Sequence, residues 1–269
     1  MECSELITKR YSTSFSMGIR LFDKPLRKPI AAIYGFVRFA DEIVDTFHSF
    51  DKRSLLKQFE RDTNEAIKLG LSLNPVLQSF QEVVHEYNIE YELIDAFLMS
   101  MYMDLDQSVY DQKKLDTYIY GSAEVIGLMC LRVFTDGDHS EYDRLKDSAR
   151  SLGAAFQKIN FLRDIKSDYH DRGRVYFPNV DFKQFTDDQK QQIEKDIKVD
   201  FDAAYKGIIQ LPKSSRCGVY LAYRYYLKLY QKISYKSVGQ VKETRIRVPN
   251  THKMVLLAKS AVRHQLNIL

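Results

Sequence analysis

The sequence contains no tryptophan, and its three cysteines, Cys3, Cys130 and Cys217, lie far apart with no Cys-x-x-Cys pair. An odd and sparse set of this kind argues against a disulfide framework and against a structural zinc site, and it fits a reducing cytosol. The opening "MECSELITKRYS" lacks an apolar core, so no secretory signal is expected there. No run of ~18 apolar residues occurs, so no membrane span is expected. Gly/Ser-rich linkers, internal repeats and low-complexity tracts are missing too, which leaves a single unit over 1–269 as the expectation. Acidic residues nearly vanish toward the end. Residues 203–269 hold 13 Lys and Arg against one acid, Glu243, whereas residues 1–202 hold 27 against 35. The net charge of +4 therefore joins a part at −8 to a part at +12. Such a basic part is either a solvated face or a surface for an anionic ligand, membrane or nucleic acid.

What is present is ordinary globular composition, 45% hydrophobic and 28% charged, with 18 Tyr and 16 Phe. Helical periodicity dominates. It predicts helices over 25–47, opened by Pro25 or Pro29, and over 51–70, between an Asp51 cap and a Gly70 stop. Further helices are expected over 75–87, 90–106, 113–134, 141–170, 186–209, 214–233 and 251–266. Strand signals are scarce; "RVYFP" and "TRIRVP" read as short extended pieces ended by proline. The expectation is an all-α domain of roughly eight to ten helices.

Four Asp-x-x-x-Asp pairs stand out: Asp41/Asp45, Asp143/Asp147, Asp164/Asp168 and Asp196/Asp200. The spacing puts two carboxylates on one helix face, about 6 Å apart along the axis. Asp143/Asp147 and Asp196/Asp200 sit among polar and basic residues and read as solvated faces. The other two pairs sit in apolar helices, "FVRFADEIVD" and "AAFQKINFLRDIKSD". Like charges there are costly unless a cation offsets them. Either local arginines do so, with Arg38 next to the first pair, or Mg²⁺ does, which binds one or two carboxylates plus substrate phosphates. Arg163, Arg172 and Arg174 add guanidinium groups near the second pair, suited to diphosphate oxygens.

Five stretches carry a resemblance to the squalene/phytoene synthase family: "YSTSFS", "AIYGFVRFADEIVD", "MDLD" at 103–106, "YIYGSAEVIG", and "AFQKINFLRDIKSDYHDRGRVYFP". The resemblance implies an isoprenoid-synthase helical bundle around a central cavity. It also implies a Mg²⁺-dependent head-to-head condensation of two prenyl diphosphates through a cyclopropyl diphosphate. Two or three Mg²⁺ ions, or Mn²⁺ in their stead, would rest on Asp41, Asp45, Asn160, Asp164 and Asp168. Substrate would meet Ser12, Ser14, Tyr34, Arg38, Gln157, Arg163 and Arg245, with Arg247 as an alternative to Arg245. Tyr118 and Tyr226 join the aspartates as catalytic residues, and Tyr34 and Tyr120 offer further π faces to a carbocation.

Departures from the family pattern are Thr13 between the serines, Asp41-Glu42 for a paired aspartate, Glu124 and Val125 in the pocket helix, and Ser167 before the last aspartate. The favoured product is phytoene from two C20 units, without NADPH; the rivals are dehydrosqualene or squalene from two C15 units and a non-catalytic binding factor. A chain-elongating synthase is disfavoured because no Asp-Asp-x-x-Asp motif occurs. No nucleic-acid partner is expected. A cytoplasmic protein, peripheral on an anionic membrane surface, is the expectation for location, and the oligomeric state stays open.

Overall fold

A computed structural model of the chain describes residues 1–11, 13–106, 109–178, 180 and 182–265, with the side chains of 13–15, 171, 172, 250, 264 and 265 outside that description. Thirteen α-helices account for most of it: α1 (Glu2–Tyr11), α2 (Thr13–Ile19), α3 (Lys24–Asp45), α4 (Lys52–Leu69), α5 (Pro75–Glu86), α6 (Tyr91–Asp106), α7 (Gln112–Ile119), α8 (Val125–Phe134), α9 (His139–Arg172), α10 (Asp187–Ile208), α11 (Lys213–Ser234), α12 (Val238–Glu243) and α13 (Asn250–Gln265). A π-helical turn, Tyr120–Glu124, joins α7 to α8. Among the described residues no strand forms; an isolated parallel bridge pairs Val109 with Val175.

Local chemistry sets the ends. Asp51 accepts from the Ser54 backbone N–H at 3.1 Å and caps α4, and Gly70 stops it with φ +67°. In α3, Pro25 occupies the first turn, where a missing N–H costs nothing. Thr186 and Gln189 cap α10 reciprocally. One apolar core runs from Ile19 to Val248, with stacked Phe36 and Phe80 rings 3.9 Å apart near its centre.

The helix count exceeds the expected eight to ten because α1, α2 and α12 lie in stretches where hydrophobic period carries little signal. The face that α1 buries is made of Ser4 and Thr8, and Ser4 fills the space left by Gly35 on α3. The 113–134 stretch is broken by the π turn. There a Cβ on Gly121 would sit 2.4 Å from the Ala96 carbonyl oxygen, so α6 packs directly on the turn's backbone.

Two long helices position the site. α3 and α9 run alongside a cavity of about 740 Å³, to whose wall α2, α6, α7, the π turn, α8, α10, α11 and α13 also contribute. Among the described residues no helix is long and apolar enough to cross a membrane.

Candidate active site

On α3, Tyr34, Arg38, Asp41 and Asp45 recur at helical spacing and all line the cavity. On α9, Gln157, Asn160, Asp164 and Asp168 repeat the same pattern, with Arg163 beside them. The two aspartate pairs thus reach one cavity from separate parts of the chain. Farther along both helices the lining turns apolar: Ile30, Ile33 and Val37 on α3, Leu145, Ala149 and Leu152 on α9, and Ile126, Leu131 and Phe134 on α8. The result is a polar mouth over a hydrophobic bore.

Charge at the mouth is unevenly shared. Arg38 pairs with Glu42 and stands 3.9 Å from Asp41, so the local ion pair at this motif is made mainly with the glutamate. Asp41 is pushed up to about 7, first by burial, while Arg38 pulls the other way and the neighbouring Asp45 and Asp104 push further up. Asp164 has the opposite surroundings. Arg163 donates to it at 3.0 Å and Arg245 Nε lies 2.7 Å from its Oδ1.

Asp104 is a site residue that the sequence did not single out, although "MDLD" marked its segment. It accepts a 2.9 Å hydrogen bond from the Tyr118 hydroxyl, and Arg174 reaches its carboxylate at 3.2 Å. Arg174 arrives there because Gly173, at φ +64°, ends α9 and turns the chain back, its successor's N–H donating to the Asp168 carbonyl at 2.8 Å. Tyr176 stacks on Phe161 at 4.1 Å, and Tyr118 stacks on Tyr176 at 5.3 Å. On the other wall Tyr226 stacks on Phe156 at 3.8 Å and its hydroxyl donates to Asn160 at 3.3 Å. Burial raises both Tyr118 and Tyr226, which keeps their hydroxyls neutral beside the acids and guanidiniums.

Tyr34, Arg38, Asp41, Asp45, Tyr118, Gln157, Asn160, Arg163, Asp164, Asp168, Tyr226 and Arg245 are therefore brought together at one cavity. Ser12 lies outside the described residues, as do the side chains of Ser14 and Arg172. Tyr120 is not in the cavity wall; Arg150 covers its ring. Arg247 is exposed and lends its carbonyl to Lys232, leaving the site to Arg245. Glu124 turns away to Arg150 at 2.7 Å and Val125 is fully buried, so Ser122, Ala123 and Ile126 shape the bore instead. The Asp196/Asp200 pair is no bare solvated face: Lys158 on α9 bridges to both, at 2.7 Å from Asp200.

Among the described residues, no group of three or more His, Cys, Asp or Glu side chains closes into a ready-made metal cage. Mg²⁺ rarely uses one, since it keeps waters and shares carboxylates with substrate phosphates. Hard carboxylate oxygens on two helix faces suit such an ion, and the like charges of Asp45 and Asp104, which add to the effect of burial on Asp41, are what a divalent cation would relieve.

The squalene/phytoene synthase family model matches residues 8–251. The chain belongs to the squalene/phytoene synthase family. Members are head-to-head prenyltransferases, and prenyl transfer is the chemistry the match supports here. This family member is 27% identical over 289 residues to the chloroplastic phytoene synthase of Daucus carota, covering 97% of the chain and 72% of the relative. It is 31% identical to the presqualene diphosphate synthase of Rhodopseudomonas palustris, over 62% of the chain and 58% of the relative. With the 15-cis-phytoene synthase of Pantoea ananas it shares 32% identity, over 62% and 56%. Its fold superposes on a crystal structure of a dehydrosqualene synthase with a TM-score of 0.82 at 22% identity, covering 98% of this chain and 96% of that one. Squalene synthase HpnC from Alicyclobacillus acidocaldarius gives 0.77 at 20%, covering 90% and 94%. The fold of the family member is thus the isoprenoid-synthase helical fold, as its motifs implied.

Proposed function

We propose that this chain condenses two geranylgeranyl diphosphates head to head, through a cyclopropyl diphosphate, to phytoene. The observation that carries the reading is the junction of two aspartate-bearing helix faces at the mouth of one apolar cavity. Arg38, Arg163, Arg174 and Arg245 bind and orient the diphosphates and offset their charge as they leave. Asp41, Asp45, Asn160, Asp164 and Asp168 would hold Mg²⁺, which would supply Lewis-acid help to the departing diphosphate. The bore excludes water from the allylic cation, and the Tyr118–Tyr176 and Phe156–Tyr226 faces stabilise it. Loss of a proton then ends the reaction without a reductant, so NADPH has no part in it.

The C20 choice is supported by the phytoene synthase relatives and by the bore. α9 lines it from Leu145 to Asp168, about 34 Å of helix at 1.5 Å per residue. The protein takes its greasy substrate from a bilayer, peripherally bound through its basic last part. Incubation with Mg²⁺ and either the C15 or the C20 diphosphate, without NADPH, tests the reading. Phytoene from the C20 substrate is the expected outcome. Dehydrosqualene from the C15 substrate alone would move the assignment to the shorter chain, and no hydrocarbon from either would overturn it.

A further inference from the structure

Helix α13 has two unlike faces. Its inner face closes the cavity: Lys253 and Leu256 line the bore, Lys253 Nζ lies 5.5 Å from the centre of the Tyr225 ring, and the Ser260 carbonyl accepts from Cys217 on α11. Its outer face is apolar and unpartnered among the described residues. Met254, Val255 and Val262 are 58%, 49% and 52% exposed, and Ala258 lies between them, also exposed. At 100° per residue these four fall within about 100° of the helix circumference, an arc they share with exposed Thr251 in the first turn, so they lie on one face and not as scattered points.

A stripe of this kind on a helix that also roofs a lipid-sized cavity calls for an occupant, and charge says which. Lys259 is exposed at the stripe's edge, and Arg247 is exposed in the segment leading into α13. The surrounding part of the chain, 203–269, carries 13 basic residues and one acid. Apolar residues bordered by cations match an anionic bilayer, which takes the apolar side chains into its acyl boundary and the cations at its headgroups. A second copy of this chain could answer the cations only with its acidic part, 1–202, and the oligomeric state reads that alternative separately.

We infer that α13 is the membrane-docking surface of the protein, and that it lays the cavity wall against an anionic leaflet, so that prenyl chains pass between bilayer and bore at this helix. The inference rests on the lipid-substrate reading above and names the partner of that same cavity. Docking and chemistry are nevertheless read separately.

Flotation of the full chain with vesicles tests it. The wild type is expected to float with phosphatidylcholine vesicles containing phosphatidylglycerol, to stay behind with phosphatidylcholine alone, and to be released at high salt. Met254→Asp combined with Val262→Asp is expected to cut partitioning at least about tenfold, since each change replaces apolar surface at the bilayer by a repelled charge. Lys259→Glu, which alters an exposed side chain only, is expected to cut it several-fold with the melting temperature unchanged. Turnover on detergent-dispersed substrate is expected to stay at the wild-type level in both variants. Equal flotation with and without the anionic lipid overturns the inference, as does either variant floating like the wild type. A variant that turns a dimer into a monomer while flotation is unchanged also overturns it, in favour of a self-interface. Flotation with no hydrocarbon product in any assay would sink the enzyme reading and leave the docking surface standing.

Discussion

Arg245, in the segment between α12 and α13, grips Asp164 on α9 with two nitrogens: Nε lies 2.7 Å from Oδ1 and Nη2 donates to Oδ2 at 3.3 Å. The arginine is mostly exposed and the carboxylate mostly buried, so the pair ties the basic part of the chain to the mouth of the cavity. In the proposed reaction a diphosphate would draw on Arg245 and a divalent cation on Asp164, so the pair would have to part. Arg245→Gln is expected to raise KM for the diphosphate roughly 10- to 100-fold, the worth of one charge-assisted hydrogen bond of ~1.5–3 kcal/mol. Arg245→Lys is expected to recover only part of this, since an ammonium lacks the two-pronged fork. Steady-state kinetics on the three proteins check it. A wild-type KM in the glutamine variant would remove Arg245 from the site.

Asp41 gives the site a pH dependence of unusual sign. Its pKa is raised to about 7 from 3.8, mainly by burial, so between those values the folded chain holds a proton that the unfolded chain has lost. Stability contributed by this group is therefore present at low pH and declines as pH rises from about 4 to about 7. A divalent cation held by Asp41, as proposed, would bind the ionised carboxylate and counter the decline. The Mg²⁺-induced rise in melting temperature is expected to grow between pH 6 and pH 8, and Asp41→Asn is expected to flatten it. Thermal melts with and without Mg²⁺ across that range supply the check; a metal effect independent of pH in the wild type would contradict it.

The layout of the candidate site was largely legible in the sequence because most of its residues lie on two long helices. Once Asp41 and Asp45 share an apolar helix with Tyr34 and Arg38, the 3.6-residue period alone puts them on one face. Asn160, Asp164 and Asp168 are legible for the same reason. Asp104 and Tyr176 were not, because their roles depend on how the chain folds back after Gly173, which no periodic pattern encodes. Glu124 misled because its place in the family's segment implied the pocket helix, whereas at the end of the π turn it faces Arg150. The missed α1 is the limiting case: a helix that buries Ser4 and Thr8 has no hydrophobic stripe to find.

Chain length should be set where the bore ends. Phe22 packs on Gly218, where an added Cβ would stand 2.3 Å from the ring, and its other neighbour is Phe134, with centroids 5.2 Å apart. All three line the cavity. Phe22→Ala is expected to deepen the bore and raise the ratio of C20 to C15 turnover several-fold. The change also costs up to ~3 kcal/mol of stability, which a melt reports separately. Gly218→Ala is expected to act in the opposite sense by pushing the ring into the bore, lowering the same ratio. Product ratios from mixed substrates give the answer, and two variants shifting in the same direction would show that the floor lies elsewhere.

Two motifs of identical spacing should respond oppositely in turnover to the same chemical change. Asp164 and Asp200 each end or begin an Asp-x-x-x-Asp pair, and each contacts a cation, but Asp164 lines the cavity whereas Asp200 answers Lys158 in the seam between α9 and α10. Asp164→Asn keeps the volume while removing the charge and one of the two oxygens that accept from Arg163 and Arg245, so turnover is expected to fall at least ~100-fold, as when a metal or phosphate contact made in the transition state is lost. Its melting temperature should fall as well, because Arg163 and Arg245 lose a mostly buried partner, so turnover is the readout that separates the two motifs. Asp200→Asn is expected to leave kcat within about twofold. Lys158 then keeps Asp196 alone, a more exposed partner, so stability is expected to fall by ~1–3 kcal/mol, readable as a lower midpoint in urea. Reversed outcomes, with Asp200 essential and Asp164 dispensable, would mean that burial against apolar neighbours is the wrong criterion for separating a functional pair from a structural one.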